Sequence, residues 1–290
     1  MSQNDPTQYL PPPPQYQGGS DIPPQSSYHY SPAPQQRSGG GLLGWLGSAA
    51  LAVWAVVKYG LLFAFKIPAL ATFLSALLSI GVYSQILGGW TIAITLVVMI
   101  FVHEMGHVIE IRRQGMAATA PIFIPLLGAA IFQQGHPTTA VKQAQIGIAG
   151  PIAGTIGATV AWILYTSTQN PVFLLAATIG FFLNLLNMLP VWQLDGAWVL
   201  APVSPWFQVL GLAAIAVLVL VFHFVSFILI LVAVLGISSA RAAFRNAGNP
   251  YYTSVPANAK LVLGAAWLGL VLYLGFMSLQ AEGLFASFAR

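Results

Sequence analysis

Three residues near the middle of the chain, His103, Glu104 and His107, form the pattern His-Glu-x-x-His. On a helix, positions i and i+4 lie on one face, so both imidazoles can reach one metal ion. Glu104 follows the first histidine, where its carboxylate can take a proton from a metal-bound water. Zinc suits such a site because it accepts nitrogen and oxygen ligands in tetrahedral geometry and acidifies its bound water. The pattern therefore predicts a catalytic site with one Zn²⁺ per chain.

The motif lies in a chain whose composition is typical of a membrane protein. Hydrophobic residues make up 57% of the sequence and charged residues 6%, and the mean hydropathy is +0.79. A soluble domain has about 25% charged residues. The net charge of +4 does not indicate nucleic-acid binding, because the basic residues lie where loops between spans are expected. The sequence contains no cysteine, so a zinc site must use histidine and carboxylate ligands.

Apolar runs follow one another from residue 42 onward, each close to the roughly 20 residues that a helix needs to cross a bilayer. The expected spans lie near 42–65, 67–85, 89–110, 144–166, 171–190, 205–222, 224–239 and 259–279. Lys58 interrupts the first run, whose alternative is a helix along the interface. We expect the 205–239 stretch to turn near His223, because a single helix there would be too long. The sequence predicts an all-α polytopic membrane protein with about six to eight transmembrane helices.

Four regions are expected along the chain. Residues 1–41 are predicted to be a disordered tail rich in Pro, Gln and Tyr, since such a composition cannot form a packed core. An inert tail is the preferred interpretation, and an unknown tail-binding partner is the alternative. Residues 42–88 are predicted to form N-terminal membrane spans, residues 89–202 the catalytic membrane core, and residues 203–290 the C-terminal membrane spans.

Basic residues indicate the orientation of the predicted bundle. Arg112 and Arg113 directly follow the motif-bearing helix, and Arg241 and Arg245 follow the 224–239 span. The positive-inside rule places both ends in the cytoplasm, and the span count brings Asp195 to the same face. We therefore expect an integral multi-pass protein of the lipid bilayer, in a bacterial cell membrane, with its active site towards the cytoplasmic face.

A third protein ligand is needed, because a catalytic zinc site combines three protein ligands with a water. Glu110 lies beside two arginines, so an ion pair is its preferred role. His136 lies in a polar loop where we expect it to be exposed, and His223 is expected at the opposite membrane face. Asp195 remains, in an irregular segment of a kind tolerated at membrane depth only where it lines protein or a wet cavity. We predict Asp195 as the third ligand. A helix N-cap is its alternative role, and the two roles are compatible.

These motifs resemble the site-2 protease family of intramembrane zinc metalloproteases. The resemblance is carried by His-Glu-x-x-His and by Asn-x-x-Pro-x-x-x-Leu-Asp-Gly at 187–196, and it covers roughly residues 85–200. It implies that transmembrane proteins are the substrates and that the site consists of the ligands His103, His107 and Asp195, the base Glu104, and Asn187 in contact with the substrate backbone. Trp192 departs from the family pattern, because many members have a second proline there.

Residues 116–132 are apolar but contain Pro121, Pro125 and Gly128. They are too interrupted for a membrane span and suit a short re-entrant strand or hairpin near the active site. An exposed strand edge there could hold an unwound substrate by strand addition. Simple loop packing is the alternative role.

The spacing Gly150-x-x-x-Gly154, with glycines also at 147 and 157, predicts a helix face of small residues. Such a face allows two helices to approach closely. We interpret this stripe as a packing surface and assign it no chemistry.

Two other functions fit parts of the pattern. A divalent-metal transporter also buries histidines and carboxylates, but it needs polar sites across the whole membrane, whereas the ionisable residues here form one cluster near one face. A catalytically silent family member acting as a membrane scaffold would not need Glu104. The preferred prediction is an intramembrane zinc metalloprotease that hydrolyses peptide bonds of membrane-spanning substrates with Glu104 as general base.

Overall fold

The structure is a computed structural model, and it describes residues 67–221 and 227–288 together with Leu51, Trp54 and His223. The predicted tail (1–41) and first span (42–65) lie outside the described residues, apart from Leu51 and Trp54. The chain divides into two units, residues 1–57 and residues 58–290.

The described residues of the second unit form helices and one small antiparallel hairpin. The helices are α1 (Pro68–Ile86), α2 (Trp90–Arg113), α3 (Ala140–Thr168), α4 (Pro171–Asn187), α5 (Asp195–Leu200), α6 (Trp206–Leu220), α7 (Phe227–Arg245), α8 (Pro250–Thr253) and α9 (Ala257–Phe288). Within the described chain, α1, α2, α3 and α9 are long and apolar enough to cross a membrane, and α4 and α6 are shorter apolar helices. The fold is therefore an all-α polytopic membrane protein with a few short strands, as predicted.

Local sequence signals explain where several helices begin and end. The Thr139 hydroxyl caps α3 by accepting the backbone N–H three residues further on, at 3.2 Å. Asn170 caps α4 by accepting a backbone N–H at 3.0 Å. Gly88 and Gly115 follow α1 and α2 with φ of 77° and 81°, a region that glycine enters without strain. The sequence thus fixes where the site-bearing helix α2 stops.

The stretch 205–239 forms two helices rather than one. Helix α6 ends at Leu220 and α7 begins at Phe227, and His223 lies between them with φ of 52°. The two helices pack against each other, and buried Ile215 and Leu229 join one apolar cluster. This arrangement agrees with the predicted turn near His223.

Residues 117–134 form a hairpin of two short ladders, as the prolines and glycine of this segment predicted. Its strands are β1 (Ala117–Ala118), β2 (Ile122–Ile124), β3 (Gly128–Ala130) and β4 (Gln133–Gln134). Strand β1 pairs with β4, and β2 pairs with β3. In the ladder between β2 and β3, Phe123 is paired with Ala129.

Hydroxyl groups of α1 hold the β2 side of this hairpin. Ser75 Oγ accepts the backbone N–H of Phe123 at 3.1 Å. The Tyr83 hydroxyl accepts the N–H of Leu126 in the turn, also at 3.1 Å. Thr72 donates to the carbonyl before β2 at 2.7 Å. Because side chains of α1 form hydrogen bonds with these backbone groups, the hairpin is held in a fixed position beside the helices.

Helix α3 contacts α2, α4, α5 and α9, and so connects the elements that carry the candidate site. The approach of α2 to α3 depends on small residues. A Cβ on Gly106 would overlap the backbone carbonyl of Ala149 and would lie 2.7 Å from the Cβ of Ala153. The glycines of α3 also lie close to other elements, since a Cβ on Gly147 would be 2.8 Å from the Cβ of Trp198. The stripe is therefore a packing surface, as predicted.

Candidate active site

Three potential metal ligands meet where α2 and α5 approach each other. His103 and His107 lie one turn apart on α2, and Asp195 is the first residue of α5. His103 Nε2 is 3.2 Å from His107 Nε2 and 3.1 Å from Asp195 Oδ2. His107 Nε2 is 3.3 Å from Asp195 Oδ1. In the part of the chain that the structure describes, this is the one group of three such residues placed to hold a metal ion.

Hydrogen bonds behind the two imidazoles fix their orientation. His107 Nδ1 lies 2.8 Å from the backbone carbonyl oxygen of Ile146. His103 Nδ1 lies 2.8 Å from Asn184 Oδ1, and Asn184 Nδ2 donates to the carbonyl of Gly180 at 2.6 Å. Carbonyl and amide oxygens accept hydrogen bonds, so both Nδ1 atoms carry a proton and donate it. The Nε2 of each neutral imidazole is then unprotonated, and its lone pair faces the cluster of potential ligands.

The converging atoms fit a zinc ion. Asp195 Oδ2 is buried and accepts no hydrogen bond from any described residue. This oxygen faces the Nε2 lone pair of His103. A cation between these two atoms would stabilise the arrangement. Donor atoms around a tetrahedral zinc lie about 3.3 Å apart, since Zn–N and Zn–O bonds are near 2 Å. The separations of 3.1, 3.2 and 3.3 Å agree with that spacing.

Glycines of α3 make room for the side chains around this cluster. A Cβ on Gly150 would overlap the imidazole of His107. A Cβ on Gly154 would overlap the carboxamide of Asn184. The sequence interpretation gave these glycines a packing role only. The structure adds that two of them also accommodate side chains of the candidate site.

Asp195 reaches the histidines because the chain turns sharply between α4 and α5. The Met188 carbonyl at this turn accepts a hydrogen bond from Trp267 Nε1 at 2.8 Å. A Cβ on Gly196 would overlap that same carbonyl, so glycine allows α5 to start against the end of α4. The N-cap of α5 is Leu194, and no side chain caps the helix. The alternative role of Asp195 as N-cap is therefore wrong, and its side chain faces the histidines.

The other candidate ligands lie away from the cluster. Glu110 accepts two hydrogen bonds from Arg113, at 2.6 and 2.9 Å, which agrees with its predicted ion-pair role. His136 is exposed in the loop before α3, and His223 is exposed between α6 and α7. Neither histidine belongs to the candidate metal group found among the described residues.

A cavity of about 800 Å³ opens beside the cluster. Most of its lining is apolar, and its polar residues include His103, Glu104, His107, Gln133, Asn187, Gln193 and Asp195. Glu104 is half-buried and makes no hydrogen bond or ion pair with any described residue. Asn187 is held by its Nδ2, which donates to the Leu183 carbonyl at 3.1 Å. The cavity therefore brings the predicted base, ligands and substrate contact to one space.

The sequence reasoning missed Asn184. Its side chain is 0% exposed and lies within an apolar run of α4. A buried amide in an apolar helix needs hydrogen-bond partners from elsewhere in the fold. That requirement was the available signal, but the sequence could not name the partner as His103.

Residues 91–171 of the chain match the family model described as peptidase family M50, which is the site-2 protease family. The match confirms the resemblance drawn from the motifs. The matched segment contains His103, Glu104 and His107, and it ends before Asn187 and Asp195. A search of curated proteins gave no match.

Proposed function

We propose that this chain, a metallopeptidase of the site-2 protease type by its match to peptidase family M50, is a zinc endopeptidase that hydrolyses peptide bonds of membrane-spanning proteins. One observation carries the proposal. His103, His107 and Asp195 converge with donor separations of 3.1 to 3.3 Å beside a largely apolar cavity. The fold around them contains helices of membrane-spanning length.

The polar residues of this cavity have different roles in the proposed reaction. His103, His107 and Asp195 would hold one Zn²⁺, which when bound would supply a Lewis acid that acidifies water and polarises a carbonyl. Glu104 takes the proton of the attacking water and delivers it to the leaving amide nitrogen. Its carboxylate suits this role because no described residue pairs with it and it lines the same cavity as the ligands.

The hairpin supplies an edge for an unwound substrate. The backbone N–H of Phe123 donates to Ser75 Oγ at 3.1 Å and therefore points away from β3. Its partner Ala129 therefore turns its own N–H and C=O away from β2, because residues of a non-hydrogen-bonded antiparallel pair face outward. Ala129 lines the catalytic cavity. We propose that the substrate strand pairs with this outer edge of β3 and that Asn187 contacts the substrate backbone.

The active site is proposed to face the cytoplasm of a bacterial cell. Two of the candidate ligands, His103 and His107, lie in the second half of α2, whose last two residues are Arg112 and Arg113. Both arginines are exposed, and cytoplasmic loops carry such an excess of basic residues. Substrates would accordingly be cut near the cytoplasmic end of their spans.

The two alternatives receive less support from the described residues. A transporter needs several polar sites along a path across the membrane, whereas the described chain contains a single candidate metal group. A silent scaffold has no use for a base, whereas Glu104 lines the cavity beside both histidines.

Cleavage of defined substrates tests the proposal. Purified wild type and Glu104→Gln are incubated in proteoliposomes with a panel of single-span proteins, and the products are identified by mass spectrometry. We expect cuts within an apolar span for wild type and none for Glu104→Gln. The same vesicles, loaded with a zinc-sensitive dye, measure transport. Zinc uptake without cleavage would contradict the proposal and favour a transporter.

A further inference from the structure

A second cavity, of about 290 Å³, lies beside α5. Its lining also includes residues from the segment after α5, the start of α6, the end of α7, α8 and the first turn of α9. Trp192, Gln193 and Trp198 line both this cavity and the catalytic cavity. The two cavities are therefore neighbours, separated by these three side chains.

The second cavity is suited to an anionic group. Its lining includes Lys260 and contains no Asp or Glu. Lys260 is half-buried and forms no ion pair with any described residue. The cavity also presents hydrogen-bonding side chains, namely Gln143, Gln208, Ser239, Asn246, Tyr252 and Thr253. A cation among such groups, without a competing carboxylate, favours an anionic partner.

Gln208 is a largely buried polar residue of this wall. Its side chain is 8% exposed, and its Oε1 lies 3.5 Å from Ser239 Oγ. Gln208 thus gives this wall a hydrogen-bonding side chain that is largely withdrawn from solvent.

We propose that the second cavity is a subsite for an acidic side chain of the substrate, in the segment that flanks its apolar span on the cytoplasmic side. This inference rests on the proposed proteolytic function. Because Trp192, Gln193 and Trp198 line both cavities, a chain held in the catalytic cavity lies next to the second one. That adjacency favours a substrate peptide over a lipid headgroup.

The length of α5 sets where the acidic residue belongs. Both cavities border this helix, whose six residues extend over about 9 Å. An extended chain covers that distance in about three residues. We therefore expect the acidic side chain at least about three residues from the scissile bond.

Binding of charge-variant peptides tests the subsite independently of cleavage. Full-length Glu104→Gln protein in detergent is titrated with fluorescent single-span peptides, and the Kd is measured by anisotropy. Each peptide carries one Glu, Gln or Lys, moved across the first six flanking residues on the cytoplasmic side. We expect one position where Glu binds about threefold to tenfold more tightly than Lys, as a partly buried ion pair would give.

Substitutions of two lysines show whether that preference arises in the second cavity. Lys260→Glu should reverse it, and Lys260→Gln should abolish it. Lys142→Glu is the matched control, because Lys142 is exposed on α3 and lines neither cavity; it should leave the preference unchanged. Zinc content and size-exclusion profiles confirm that each variant is folded.

The subsite would be overturned if the Glu, Gln and Lys peptides had equal Kd values at every position. An unchanged preference for Glu in Lys260→Glu would overturn it as well. Displacement of the Glu peptide by phosphatidylglycerol but not by phosphatidylcholine, dependent on Lys260, would assign the cavity to a lipid headgroup and overturn it as well. A charge preference in binding, without cleavage of any peptide by wild type, would support the subsite and contradict the proposed proteolysis. The two proposals can thus fail separately.

Discussion

His103 Nδ1 donates to Asn184 Oδ1 across 2.8 Å, which links a candidate ligand on α2 to the apolar helix α4. The carboxamide of Asn184 is itself fixed by the carbonyl of Gly180 at 2.6 Å, and the missing side chain of Gly154 provides its space. Such outer partners set the tautomer of a metal-binding imidazole. The position of Asn184 therefore determines which nitrogen of His103 faces the candidate metal.

Replacing Asn184 tests this relationship. Asn184→Leu should weaken zinc binding by about 10- to 100-fold, because the buried Nδ1–H of His103 loses its acceptor. Asn184→Asp keeps an acceptor oxygen and should lose less. Competition with a chromophoric chelator measures the affinity. The matched control is Asn187→Leu on the same helix, which should retain zinc; equal affinity of Asn184→Leu and wild type would contradict the positioning role.

The glycine at position 150 is predicted to be essential for the metal site. Gly150→Ala places a Cβ against the imidazole of His107, so His107 must move and zinc occupancy should fall. Gly264→Ala on α9 is the control, because a Cβ there meets nothing within 4 Å. It should be neutral or stabilise its helix by up to about 1 kcal/mol. Metal analysis and thermal unfolding measure both variants, and full zinc occupancy in Gly150→Ala would contradict the geometry.

The third ligand can be distinguished from its nearest competitor by metal analysis. Asp195→Ala should lower zinc occupancy, as should removal of either histidine, because each change removes one of three protein ligands. Glu110→Gln should retain zinc, because Glu110 pairs with Arg113 at 2.6 Å rather than with the cluster. Undiminished zinc in Asp195→Ala would assign the third position to another residue.

Much of the site could be predicted because its chemistry is local in sequence. His103 and His107 share a helix face by spacing alone, and comparison of the few other ionisable residues, supported by the resemblance, extended the set to Asp195. The breaks at Pro121, Pro125 and Gly128 likewise predicted the hairpin. These features depend on the residues themselves and their immediate neighbours.

The parts that the sequence did not predict depend on contacts between distant elements. The bond from Asn184 to His103 joins two helices whose packing no local pattern specifies. The same is true of Gly150 and Gly154, whose spacing predicts close packing but not which side chains occupy the space. The second cavity with Lys260 is assembled from several helices, so no motif indicates it.

Labelling of single cysteines tests the proposed orientation and is convenient because the chain has no native cysteine. Cysteine at Gln114 or Asn246 should react with a membrane-impermeant reagent from the cytoplasmic face only. Cysteine at Thr168, the last residue of α3, should react only from the opposite face. Labelling of Gln114 and Thr168 from the same face would contradict the span count.

Zinc titration of metal-free protein tests the central claim most directly. Wild type and Glu104→Gln are stripped with a chelator, zinc is added stepwise, and bound zinc and cleavage of a single-span substrate are measured in the same samples. The account predicts that both proteins bind one zinc per chain, that wild-type cleavage rises in proportion until this ratio is reached, and that Glu104→Gln cleaves nothing. Cleavage by metal-free wild type, or full turnover by zinc-loaded Glu104→Gln, would contradict it.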